Sequence, residues 1–115
     1  MVTKISQRRV DTAIGKSNGV GVMKLERLFD STNMPQHLRL FSRASLEPGA
    51  SVGFHVHHAE AEVFYILSGH GEYCDDCEIV NVEPGDLTYT PDGHGHSLKN
   101  IGDEMLEFIA MIIKD

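Results

Sequence analysis

The residues of this chain that could do chemistry are its histidines. There are seven in 115 residues, and six of them lie between His55 and His96. Histidine is the commonest metal ligand, so this clustering points to a metal site. His55 and His57 are separated by a single residue. In an extended segment side chains alternate, so both imidazoles face one side, roughly 6.5–7 Å apart along the chain. Two imidazoles at that spacing can converge on one ion at about 2.1 Å. The turn His58-Ala59-Glu60-Ala61 reverses the chain, and Glu62 on the returning segment can face the same ion. His58 and Glu60 read as parts of a solvated turn.

Ligands set this way need strands to hold them. Eleven glycines and four prolines punctuate a series of short apolar stretches, the rhythm of many strands joined by turns. Residues 20–29 read as a strand and 30–36 as a loop rich in turn formers. Leu38, Leu40, Ser42, Ala44 and Leu46 alternate with Arg39, Phe41, Arg43 and Ser45, a period of two. Further strands are expected over 52–57, 62–67, 86–90, 95–100 and 105–113. A hairpin is expected from 71–74 and 78–82 around Asp75-Asp76. The last strand is apolar on both faces, which makes it central or covered by a partner. Pro35 interrupts the one other helix candidate, 29–37. The expectation is an all-β barrel or sandwich, with residues 1–19 as an arm or edge strand and 20–115 as a single domain.

Composition narrows the function classes. A net charge of −7 argues against nucleic-acid partners, which need a basic face. No apolar run approaches the roughly 20 residues of a membrane helix, so no membrane partner is expected. Residues 1–9 are polar and lack the apolar core of a secretory signal. Two cysteines are too few for a disulfide framework and fit a reducing, cytoplasmic location. Cys74 and Cys77 bracket the expected hairpin tip, without the helix of a thioredoxin-like site, and read as two exposed thiols.

A second unit follows Gly69. The first runs Gly49, five residues, His55, one, His57, four, Glu62, six, Gly69; the second runs Gly85, five, Pro91, one, Gly93, two, His96, three, Asn100. Each resembles, without a gap, one of the two sequence motifs of the cupin superfamily. The resemblance implies a double-stranded β-helix, a barrel of jelly-roll type. It implies His55, His57, Glu62 and His96 as the ligands of a divalent transition metal, with manganese the first choice and iron, nickel, cobalt or zinc compatible. Glu60 is an alternative carboxylate, but only Glu62 keeps the six-residue spacing to Gly69. Gly49, Gly69, Gly85, Pro91 and Gly93 are implied to be turn residues, and Asn100 a structural cap. His94 shares the parity of His96 but follows the Pro91 turn, and reads as a rim residue. The resemblance is nearest to small oxalate-decarboxylase-like cupins. It also implies a homodimer formed through an outer sheet face, for which Tyr65 and Leu67 supply outward apolar surface.

Four such ligands leave two adjacent positions on an octahedral ion. These suit a small chelating anion such as a keto acid or an oxalate-like dicarboxylate. Side chains sharing the ligands' parity are expected to line the pocket: Leu40, Ser42, Phe64, Ile66, Leu98 and Phe108, with Ala44 and Ala110 beside them. Two function classes are open. One is a metal-dependent enzyme, a decarboxylase, dioxygenase or isomerase; the other is a non-catalytic metal- or ligand-binding module such as a stand-alone sensor. No catalytic residue beyond the ligands is marked: Ser97 points away from His96, and nothing identifies Asp30 as a proton donor.

Overall fold

The computed structural model describes residues 1–76 and 78–115; Cys77, and with it the expectation for the thiol pair, lies outside the described residues. Among the described residues there are ten strands: β1 Val10–Ile14, β2 Val22–Arg27, β3 Leu38–Leu46, β4 Ser51–Val56, β5 Glu60–Ser68, β6 Gly71–Asp75, β7 Glu78–Val82, β8 Leu87–Thr90, β9 Gly95–Asn100 and β10 Leu106–Lys114. They form two antiparallel sheets, ordered β1-β2-β3-β10-β5-β8 and β4-β9-β6-β7. The all-β, double-sheet architecture expected from the strand rhythm is the one observed. The helical content among the described residues is two three-residue 3₁₀ turns, Ile5–Gln7 and Lys16–Asn18. No helix of the described residues is long and apolar enough to cross a membrane.

The period of two in β3 becomes an inside and an outside. Ser42, Ala44 and Leu46 are buried, while Arg39 and Arg43 are exposed. Strand register carries this parity across the sheet in rows. Leu25, Ala44, Phe108 and Ile66 form one inner row, and Ser42, Ala110, Phe64 and Thr88 another. These rows pack against Val52, Tyr73, Val82 and Leu98 of the smaller sheet to make the core. Phe108 is 1% exposed, and burying such a ring contributes roughly 1.5–3 kcal/mol. β10 is central in its sheet, paired with β3 on one side and β5 on the other; its inner residues are buried, and Ile109 and Met111 on its outer face are half-buried.

Two details position the site. Asn100, 1% exposed, donates from Nδ2 to the carbonyls of Leu46 (2.9 Å) and Glu104 (2.7 Å) and accepts from Gly102 N–H (2.9 Å). It ties the end of β9 to the end of β3, which is the capping role expected of it. Gly69 turns the chain out of β5 with φ of 89°, and a Cβ there would lie 2.6 Å from the Met105 carbonyl oxygen. Only glycine fits both demands. The turn after β4 is shorter than expected: β5 begins at Glu60 rather than Glu62, because Ala59 takes a left-handed φ of 61° and reverses the chain at once.

Candidate metal centre

Four side chains from three strands or their ends meet at the mouth of the barrel. His55 lies on β4, directly opposite His96 on β9. His57 follows the end of β4, and Glu62 lies on β5. The Nε2 atom of His96 is 3.1 Å from that of His55 and 3.1 Å from that of His57. Glu62 Oε1 is 2.9 Å from His96 Nε2, 3.0 Å from His57 Nε2 and 3.8 Å from His55 Nε2. One donor atom from each of the four residues therefore lies within 4.8 Å of every other.

The far side of each imidazole is occupied. His55 Nδ1 is 2.8 Å from the Gly53 carbonyl oxygen. His57 Nδ1 is 2.6 Å from Glu60 Oε2. His96 Nδ1 is 2.8 Å from the Tyr73 hydroxyl and 3.0 Å from Thr90 Oγ1. The carbonyl behind His55 and the carboxylate behind His57 hold the proton on Nδ1 and leave the Nε2 lone pair facing the cluster, the arrangement that prepares histidine to ligate a metal; behind His96 the partners are two hydroxyls, which hold the ring in place. Phe64 stacks on the His96 ring at 4.9 Å and fixes its plane. Three imidazoles, each held from behind, and a carboxylate fit a divalent first-row ion; the set has no thiolate to bias the choice toward soft metals.

Electrostatics agree with the geometry. Burial opposes ionisation of Glu62, but the three surrounding imidazoles outweigh it and hold the carboxyl far below the usual range. Burial pushes the His96 imidazole down, with Glu62 opposing. His57 is pushed up, first by its bond to Glu62 and, against burial, by Glu60. Glu60 itself is held below the ordinary carboxylate range, first by the Arg39 guanidinium, which bonds it at 2.7 and 2.8 Å, and then, against burial, by His57.

A cavity of about 350 Å³ opens beside the cluster. Leu40, Phe64 and Phe108 line it as parity indicates, joined by Ala44 and Ala110. Ser42, Ile66 and Leu98 share that parity but do not border the cavity; each is at most 1% exposed and belongs to the packed core. Alternation identifies the face of a strand and not the depth along it, so core and pocket positions look alike in sequence.

Several site residues escape the sequence reading. Glu60 is no solvated turn residue: its side chain is 13% exposed and braces His57. Its signal was the two-residue spacing to Glu62, which puts both on one face of β5. Tyr73 and Thr90, behind His96, carried no signal. Cys74 is half-buried rather than exposed, with Sγ 3.0 Å from the Asp76 carbonyl oxygen. His94 is exposed at the rim and pairs with Asp76 at 2.6 Å.

The class defined by this fold and site is a double-sheet β-barrel with a three-histidine, one-glutamate cluster at its mouth. Residues 42–112 match the cupin domain, and the chain belongs to that family. It is similar to an oxalate-binding protein of Thermotoga maritima, 37% identical over 113 residues, covering 98% of this chain and 93% of that one. It is also similar to an oxalate decarboxylase of Bacillus subtilis, 36% identical over 92 residues, covering 75% of this chain but 24% of the enzyme. Among solved structures, a predicted oxalate decarboxylase from Thermotoga maritima superposes with a TM-score of 0.93 at 36% identity, covering the whole of both chains.

Proposed function

We propose that this protein holds a divalent first-row metal, manganese in the first instance, through His55, His57, Glu62 and His96, and uses it to bind a small oxalate-type carboxylate. The observation that carries the reading is the convergence of three Nε2 atoms and one carboxylate oxygen, with all three Nδ1 atoms bonded on the far side. A bound ion would supply a Lewis-acid centre for an anion's oxygens. The similarity to an oxalate-binding protein over 98% of the chain supports the choice of anion.

Binding is favoured over decarboxylation by the state of Glu60. Among the described residues it is the carboxyl besides Glu62 that lines the cavity. Arg39 and His57 hold it ionised, which makes it a poor proton donor. The test is metal analysis of protein purified without chelator, followed by calorimetric titration of the manganese-loaded protein with oxalate. Saturable binding that disappears on metal removal is expected. Full metal occupancy in a His96→Ala variant would overturn the ligand assignment, and turnover of oxalate would overturn the binding role.

A cytoplasmic location and a homodimer belong to the same reading. The dimer is supported by outward apolar surface on β5 and β8, where Tyr65, Leu87 and Tyr89 are 44%, 65% and 58% exposed. Light scattering that gives a monomer at high concentration would count against it.

A further inference from the structure

Three of the chain's ten basic residues, Lys16, Arg27 and Arg39, line the cavity beside the histidine cluster. Two of them are already neutralised. Arg39 is bonded through two nitrogens to Glu60, and Arg27 Nε is 2.8 Å from Asp11 Oδ2. Among the described residues, Lys16 has no carboxylate within 4 Å and no side-chain hydrogen bond. Its ammonium is an exposed, uncompensated positive charge at a cavity whose other conspicuous feature is a metal-ligand cluster.

The backbone that presents Lys16 is held under strain. Residues 15–21 form a strap closed by the Gly15 N–H to Gly21 carbonyl bond (3.0 Å). Gly15, Ser17, Asn18 and Gly21 all have positive φ, of 67°, 53°, 63° and 75°. Left-handed serine and asparagine cost on the order of 1 kcal/mol or more each and persist where the surroundings impose them. The imposing surface is β4. Ser51 N–H donates to the Val20 carbonyl (2.7 Å), and Ser51 Oγ accepts from Val20 N–H (3.0 Å). The strap lies so close that a Cβ on Gly53 would sit 2.0 Å from the Ser17 carbonyl oxygen, and one on Gly19 would sit 2.1 Å from that of Ser51. Two bare glycine backbones are needed for this approach. The same Gly53 supplies the carbonyl that bonds His55 Nδ1, so strap and metal ligand share one support. The strained residues, Ser17 and Asn18, directly follow Lys16, so the strap that carries the strain also sets the position of an unpaired ammonium at the cavity edge.

We infer that Lys16, held over the cavity by the 15–21 strap, is the distal anion-binding residue of the site, which therefore takes a small dicarboxylate: one carboxylate at the metal, the other at the Lys16 ammonium. This rests on the metal-dependent anion binding proposed above. The cavity of about 350 Å³ is at the lower end of small-molecule sites, roughly 300–1,000 Å³, and has room beyond the ion for such a ligand. A lysine suits this role because its ammonium is a compact point charge with three rotatable donors.

The experiment is calorimetric titration of manganese-loaded wild type, Lys16→Gln and Lys16→Arg with oxalate, malonate, succinate and glycolate. Glycolate can chelate a metal but carries one charge. Metal content is measured in each variant as the reference, and Lys16 is exposed, so its replacement leaves the core untouched. Lys16→Gln should weaken the best-bound dicarboxylate about tenfold, the scale of one charge-assisted hydrogen bond at an open site, and glycolate less than about twofold. Lys16→Arg should restore most of the loss. Equal dicarboxylate affinity in wild type and Lys16→Gln overturns the assignment, as does an equal loss for glycolate. If the wild type binds none of the four anions, the anion-binding reading of the whole site falls, and the Lys16 assignment with it.

Discussion

Removing the Glu60 carboxylate should loosen the metal without unfolding the protein. In Glu60→Ala the 2.6 Å bond from His57 Nδ1 disappears, and the imidazole is free to rotate or to carry its proton on Nε2. Loss of such a bracing group costs about 10–100-fold in metal affinity, or about 1.4–2.7 kcal/mol. Arg39 already draws on the Glu60 charge through two bonds, so the lower end, near tenfold, is expected. Stability should barely move. Arg39 is 54% exposed and solvates readily once unpaired, and pairs of that kind contribute about 0–1 kcal/mol. Glu60→Gln keeps an amide oxygen that can accept from Nδ1–H and should recover part of the loss. The pH dependence carries a sign. Glu62 and Glu60 raise His57, against burial, so in the wild type a proton competes with the metal as pH falls through the histidine range. Without Glu60 that competition weakens, and the affinity deficit should be largest at high pH and shrink toward acid. The assay is manganese competition against a chelator of known affinity across that range, with a thermal melt on each sample. Affinity within twofold of wild type would refute the bracing role. A large fall in melting temperature would show that Glu60 acts on the fold instead.

Gly19→Ala places a methyl 2.1 Å from the Ser51 carbonyl oxygen; the strap must lift from β4, and calorimetry should show dicarboxylate affinity falling as it does in Lys16→Gln. Phe108→Ala removes a ring that is 1% exposed and packs at 4.8 Å on Phe64; denaturant unfolding should show a loss of about 3–5 kcal/mol, toward the lower end because the adjoining cavity can admit water. The Asp11 carboxyl is held below its ordinary value by hydrogen bonds from Arg9 and then Arg27, against burial. A depressed carboxyl stabilises above its unfolded value, about 3.9, and that contribution is lost as pH falls through the folded value. Protection of the β1 and β2 amides, taken relative to their intrinsic exchange rate at each pH, should therefore fall below about pH 4, and in Asp11→Asn it should be reduced at neutral pH as well.

Much of the fold was legible because burial of alternate residues leaves a period of two. β3, β7 and β9 occupy the expected residues, and β10, expected to be central or covered, is central, between β3 and β5. β1 was harder to read, since Val10–Ile14 lies at a sheet edge with its side chains only partly covered, and its alternation is faint. The 3₁₀ turn at Lys16–Asn18 left no periodic trace, being a single turn in a run of left-handed residues. In the site, the four clustered residues stood out by type and spacing. Most of their supports did not, because Tyr73, Thr90 and Gly53 are defined by whom they touch, and those contacts join residues through the fold.

The sequence by itself determined a chain of short strands with a three-histidine, one-glutamate set at cupin spacing. Those properties are local: strand parity, turn residues and fixed intervals. Tertiary structure decided whether the parity holds. Counting by twos from buried Val52 would put Phe54 and Val56 inside and His55 outside. A register shift between Val52 and His55 reverses this, leaving Phe54 half exposed and aiming His55 at His96. It also decided depth, placing Phe64 at the cavity and Ile66 in the core of the same strand face. Finally, it brought Lys16, 39 residues before His55 in the chain, to the cavity lip. No spacing rule reports that, because the strap is placed by close backbone packing between Gly19 and Gly53, and packing between segments so far apart in sequence exists only after the chain has folded.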